Sequence, residues 1–111
     1  MKKTGLHQNE VIEKLKEHKG DLKRYGVMRI GMFGSFARNE QKRESDIDLV
    51  VEFDPALFGK DFRGLFDQYV GLSSFLEELL ERKVDILTPV SIETIRIKEV
   101  AEEIKRDLIY V

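Results

Sequence analysis

Asp46-Ile47-Asp48 is the stretch of this chain whose residue types and spacing most directly offer chemistry. Two carboxylates at i and i+2 leave an extended strand from the same face, close enough to share a divalent cation. Without a cation, like charges side by side in a partly buried place are unfavourable. A bare D-x-D also serves as charge protection of an exposed strand edge, so the motif needs company. Asp85 supplies it, as a third carboxylate in a short strand between the inward-pointing Val84 and Ile86. If the 83–87 strand lies beside the 46–53 strand, three acids converge on one face. Their spacing would suit one or two Mg2+ ions, which take few protein oxygens and leave the rest to water and phosphate.

Gly34-Ser35 offers the complementary half of such a site. A glycine at a strand end followed by a helix start lets backbone N–H groups approach phosphate oxygens, and the Ser35 hydroxyl adds a donor. Arg38, one turn along, and Lys42 and Arg43 in the next loop could face the same anion. Two other chemistries fit less well. Aspartate-nucleophile phosphatases carry D-x-D at the carboxyl end of a hydrophobic strand, whereas here Lys42-Arg43-Glu44-Ser45 precedes the pair and the hydrophobic run follows. His7 and His18 have no cysteine or carboxylate pattern around them, which argues against zinc.

The elements that must position these residues follow from periodicity. Val11, Leu15, His18, Leu22 and Tyr25 recur at helical spacing, so a helix is expected over 9–25, capped by Asn9, with a break at Gly20 and closure at Gly26. Val27 to Phe33 reads as a buried strand turning sharply at Gly34-Ser35. A short helix over 35–41 follows, with Asn39 suited to a left-handed end. Asp46 to Phe53 is the clearest strand, because Ile47, Leu49, Val51 and Phe53 alternate with Asp46, Asp48, Val50 and Glu52. Asp54-Pro55 ends it and 56–61 is a loop. Phe62, Leu65, Phe66, Tyr69, Leu72, Leu76, Leu79 and Leu80 form the stripe of a long helix over 62–81. Val84 to Leu87 is a short strand stopped by Thr88-Pro89. Ser91 then caps a last helix with Ile97, Val100, Ile104 and Leu108 inside. The expected fold is α/β (α+β), a small mixed sheet of three to four strands with helices packed mainly on one face, in a single domain over 1–111.

Composition narrows the function classes. The 111 residues hold 19 Lys+Arg and 21 Asp+Glu, a net charge of −2, which argues against a constitutive nucleic-acid binder. Hydrophobic residues make up 41% and charged residues 36%, the balance of a globular protein. No apolar run approaches the ~20 residues of a membrane span. No secretory leader is visible and there is no cysteine, so the cytoplasm is the expected address.

Gly34-Ser35-Phe36-Ala37-Arg38 followed by Ser45-Asp46-Ile47-Asp48-Leu49-Val50-Val51 resembles the G-S-x-A-R…S-D-I-D-L signature of the minimal nucleotidyltransferases. These are the smallest members of the DNA polymerase beta-like nucleotidyltransferase superfamily. The lead-in 25–33 and Lys83-Val84-Asp85-Ile86-Leu87 are similar to that family too; Asn39 stands where many relatives carry glycine. The resemblance implies Mg2+-dependent transfer of AMP from ATP, with Asp46, Asp48 and Asp85 as the catalytic and metal-holding acids, two ions between them. It implies Gly34 and Ser35, with Arg38, as the nucleotide-binding residues. The short chain leaves the acceptor to dock from outside. The resemblance extends to antitoxins paired with HEPN-domain toxins, which implies a hydroxyl of such a toxin, a tyrosine, as acceptor. The alternative is a non-catalytic antitoxin that neutralises its partner by complex formation; a homo- or hetero-oligomer is compatible with either. No direct nucleic-acid or membrane partner is implied.

Overall fold

The structure is a computed structural model and describes residues 6–57 and 64–111. Helix α1 runs over Gln8–Glu17 and α2 over Lys19–Arg24. The helical stretch therefore breaks at His18, not at Gly20. The His18 ring pairs with the Lys14 carbonyl at 2.9 Å and meets Phe75 edge-on at 6.1 Å. The cap of α1 is His7, not Asn9: its backbone N–H donates to the Glu10 carboxylate at 2.9 Å. Gly26, at φ 84°, turns the chain into strand β1, Val27–Phe33. A short helix α3, Gly34–Ala37, follows directly, and Asn39 takes the left-handed conformation (φ 59°) after it.

Strand β2 spans Ile47–Phe53 and ends in a 3-10 turn, Pro55–Leu57. The rest of the expected loop, and the expected helix start at Phe62, lie outside the described residues. Helix α4, Leu65–Leu80, leads to β3, Val84–Leu87. The last expected helix is two, α5 over Pro89–Glu93 and α6 over Lys98–Asp107. Thr88, not Ser91, caps the first of them, accepting from the Ser91 N–H at 3.2 Å, and Pro89 takes the first helical position, where a missing N–H costs nothing. Thr94 turns its hydroxyl back to the Ser91 carbonyl at 2.7 Å where α5 ends. A two-residue strand β4, Ile109–Tyr110, completes the sheet.

The sheet order is β3-β2-β1-β4. Strand β1 is antiparallel to both β2 and β4, while β2 and β3 run parallel, joined by the crossover through α4. Period-two alternation sends Ile47, Leu49, Val51, Val84 and Ile86 to one face, where they close with Ile30, Met32 and Phe36 against Val11, Leu15, Leu22, Leu72, Leu76 and Leu80 of α1, α2 and α4. The other face carries a smaller cluster of Phe33, Val50 and Ile92, with Ala101, Ile104 and Leu108 packed on it. Helices thus lie mainly on one face, with α5 and α6 thinly covering the second. The expected inner stripes are only partly inside: Phe66 is 75% exposed, and Ile97 and Val100 also face solvent. Among the described residues no helix is long and apolar enough to cross a membrane.

Candidate active site

The thinly covered face holds the carboxylates. In the parallel pairing of β2 with β3, Asp48 stands directly beside Asp85, one strand spacing of about 4.8 Å away. Asp46 precedes β2, where the Ile47 N–H donates to the Lys83 carbonyl at 2.9 Å and ties the strand start to that of β3. Asp85 is exposed; Asp46 and Asp48 are half-buried. Asp48 carries the electrostatic stress of the site. Burial first, then the charges of Asp85 and Asp46, push its carboxyl up to about 6, and the Arg38 charge offsets this in part. Three charged groups therefore act on one carboxylate.

The Gly34 turn closes against the same carboxylate. Phe33 pairs with Asp48 across β1 and β2, so the residue after it emerges at the Asp48 side chain. Gly34 has φ 76°, a conformation other residues rarely adopt, and a Cβ there would overlap the Asp48 carboxylate. Glycine is thus required both by the backbone and by the close approach. Ser35 follows at the start of α3, half-buried, and its hydroxyl makes no hydrogen bond among the described residues.

Arg38 is near but engaged. It donates to Glu40 at 2.9 Å and to Asp107 at 2.6 Å, with Glu103 3.7 Å away. The hydrogen bond to Glu40, then that to Asp107, raise its pKa above the ordinary arginine value. A cavity of about 280 Å³ lies beside it, between Phe33, Gly34, Val100 and Ile104. Lys42 and Arg43 are exposed in the preceding loop. That loop is held from the other side by Arg82, whose Nη1 donates to the Arg43 and Ser45 carbonyls. Sequence reasoning did not single out Arg82, Glu103 or Asp107, since each reaches the site only through folding.

A divalent cation fits the donor set in charge and chemistry: hard carboxylate oxygens meet at a place where one of them is pushed towards protonation for want of compensation. Among the described residues no three His, Cys, Asp or Glu side chains already stand at metal-ligand spacing, so the acids would draw together on binding.

This mixed sheet, with its acid pair and glycine turn, is that of a nucleotidyltransferase. The nucleotidyltransferase domain model matches residues 11–111. The protein adenylyltransferase MntA of Thermococcus cleftensis is 33% identical over 109 residues, covering 96% of this chain and 97% of its own. The Methanocaldococcus jannaschii protein MJ1379, a candidate protein adenylyltransferase, is 44% identical over 104 residues, covering 93% of this chain and 96% of its own. Among solved structures, a candidate minimal nucleotidyltransferase superposes with a TM-score of 0.67 at 27% identity, over 96% of this chain and 98% of that one. A toxin–antitoxin complex with AMP-PNP shares the fold at a TM-score of 0.55 and 19% identity, over 95% of this chain and 72% of that one. The chain belongs to the nucleotidyltransferase domain family, among its protein adenylyltransferases.

Proposed function

We propose that this protein uses Mg2+ to transfer AMP from ATP to a tyrosine hydroxyl of a HEPN-domain toxin, acting in the cytoplasm as the antitoxin of that pair. The observation that carries the reading is the register setting Asp48 beside Asp85 at the Gly34 turn. The names of its relatives support a protein acceptor, and the toxin–antitoxin complex with AMP-PNP suits both a nucleotide and a partner protein.

In this reading Gly34 and Ser35 receive the β- and γ-phosphates on backbone and hydroxyl donors. Arg38, released from one of its acids, adds charge to the same anion. Asp46, Asp48 and Asp85 would hold the cations. Bound Mg2+ would neutralise the triphosphate and stabilise the entering and leaving oxygens. The acceptor oxygen attacks the α-phosphorus, forming a P–O bond to the acceptor; the bond from that phosphorus to the oxygen leading to the β-phosphate breaks, and pyrophosphate leaves. Asp85, the exposed acid, orients the incoming hydroxyl and takes its proton. This chain itself supplies no nucleophile.

Incubation with labelled ATP, Mg2+ and the HEPN protein tests this. Label is expected on a toxin tyrosine with the wild type and absent with Asp46→Ala/Asp48→Ala. No transfer by the wild type would sink the reading. If the double variant still neutralises the toxin at equal concentration, complex formation alone suffices.

A further inference from the structure

Arg82 stands where three segments of the site meet. It follows Glu81, whose left-handed backbone (φ 54°) ends α4, and lies just before the strand that carries Asp85. Its Nη1 donates to the Arg43 carbonyl at 2.6 Å and to the Ser45 carbonyl at 3.2 Å. Those carbonyls belong to the turn that delivers Asp46, itself closed by the Lys42 N–H on the Ser45 hydroxyl at 2.8 Å. The guanidinium carbon lies 5.4 Å from the centroid of the Phe36 ring, and Phe36 is the fully buried neighbour of Ser35. Among the described residues no carboxylate pairs with this guanidinium, and its Nε is buried without an acceptor. A buried donor left unpaired is costly to keep, and an apolar side chain would fill the space without that cost. Packing alone therefore does not account for an arginine here.

We infer that Arg82 is a positioning residue: it holds the 43–45 loop, and with it Asp46, against the Gly34–Ser35 turn, and so sets how tightly the carboxylates take up a divalent cation. This rests on the metal reading proposed above. The planar guanidinium suits the place because it donates at its edge while its face packs on a ring. A lysine ammonium is a point charge with no face to stack.

The test uses R82M and R82K in the full chain, with amide hydrogen exchange over 43–47, calorimetric Mn2+ binding without ATP, and thermal unfolding as readouts. R82M is expected to weaken Mn2+ binding about tenfold, in the range found for residues that orient metal ligands, with faster exchange confined to 43–47 and little change in Tm. R82K is expected to recover less than half of the lost affinity. Wild-type affinity and exchange in R82M overturn the inference; if R82M does not fold, unchanged Mn2+ affinity in R82K overturns it equally. A wild-type chain that binds no Mn2+, with Asp48→Asn indistinguishable from it, overturns the metal reading, and faster exchange over 43–47 in R82M then still supports the hold on the loop.

Discussion

The two faces of the sheet are built from the same strands and do opposite work. On one, Ile47, Leu49 and Val51 are fully buried under α1, α2 and α4, with Leu72 and Leu76 sealed against them. On the other, the intervening residues of β2 are Asp48, Val50 and Glu52, and α6, which lies over that side, has no buried residue of its own. Alternation along one strand thus supplies a core and a site together. Rigid packing below fixes the backbone from which Asp48 projects, and thin cover above leaves it open to substrate. Charges that would be ruinous in the core are tolerated at the uncovered end of the second face, at the expense of a displaced Asp48 pKa.

Substitutions on the two faces should therefore separate stability from activity. Asp48→Asn is expected to lower AMP transfer by about 10^3-fold or more while leaving Tm unchanged or slightly raised, since it removes a like charge. Leu76→Ala, one layer below, is expected to cost about 2–5 kcal/mol of stability, with kcat retained in the fraction that stays folded. Paired denaturation curves and transfer assays check both. An Asp48→Asn protein that melts well below wild type would erase the distinction between the faces.

Gly34→Ala sits at the boundary between them. The positive φ and the overlap with the Asp48 carboxylate both oppose a side chain, for an expected loss of about 1–3 kcal/mol. Because the strain falls on the turn proposed to hold phosphate, affinity for a fluorescent ATP analogue should fall about tenfold or more, on the same scale. Intact nucleotide affinity in this variant would separate the turn from the nucleotide.

How far the sequence discloses such a division depends on whether the physics is local. The limits of β1 and β3, the left-handed Asn39 and the turn at Gly26 were all legible, because strand alternation and backbone conformation are written in neighbouring residues. The D-x-D acids and Gly34-Ser35 were visible as types and spacing. That Asp85 pairs with Asp48 was only a condition, since strand order is a tertiary choice. The acids on Arg38 escaped for the same reason, Asp107 lying 69 residues away, as did the Arg82 hold on the Asp46 loop. Strand β4 is two residues long and carries no periodicity to read. The outward Ile97 and Val100 show that an apolar helical spacing does not fix which part of a stripe is covered.

The smallest expected effect is also the most direct reading of the exposed face. The Asp48 carboxyl is raised to about 6 in the fold by burial, Asp85 and Asp46, against an ordinary value of 3.8. Between those pH values the folded chain holds a proton the unfolded chain has lost, so unfolding free energy falls as pH rises through this window. Below about pH 4 both states are protonated and Asp48 costs nothing; above about pH 6 the full cost of its charge is present. Because the group is only half-buried and its charge is screened by solvent, that cost is about 1 kcal/mol. Urea denaturation from pH 4 to 8, with Asp48→Asn as the reference, should show the wild type losing that much relative to the variant, most of it between pH 4 and 6. Saturating Mg2+ should shrink the difference at pH 7.5, because a bound cation supplies the compensation that protonation supplies at low pH. A wild type that gains stability relative to the variant across this window would mean that the acids of the second face do not repel one another, and the contrast between the two faces would then be one of cover alone.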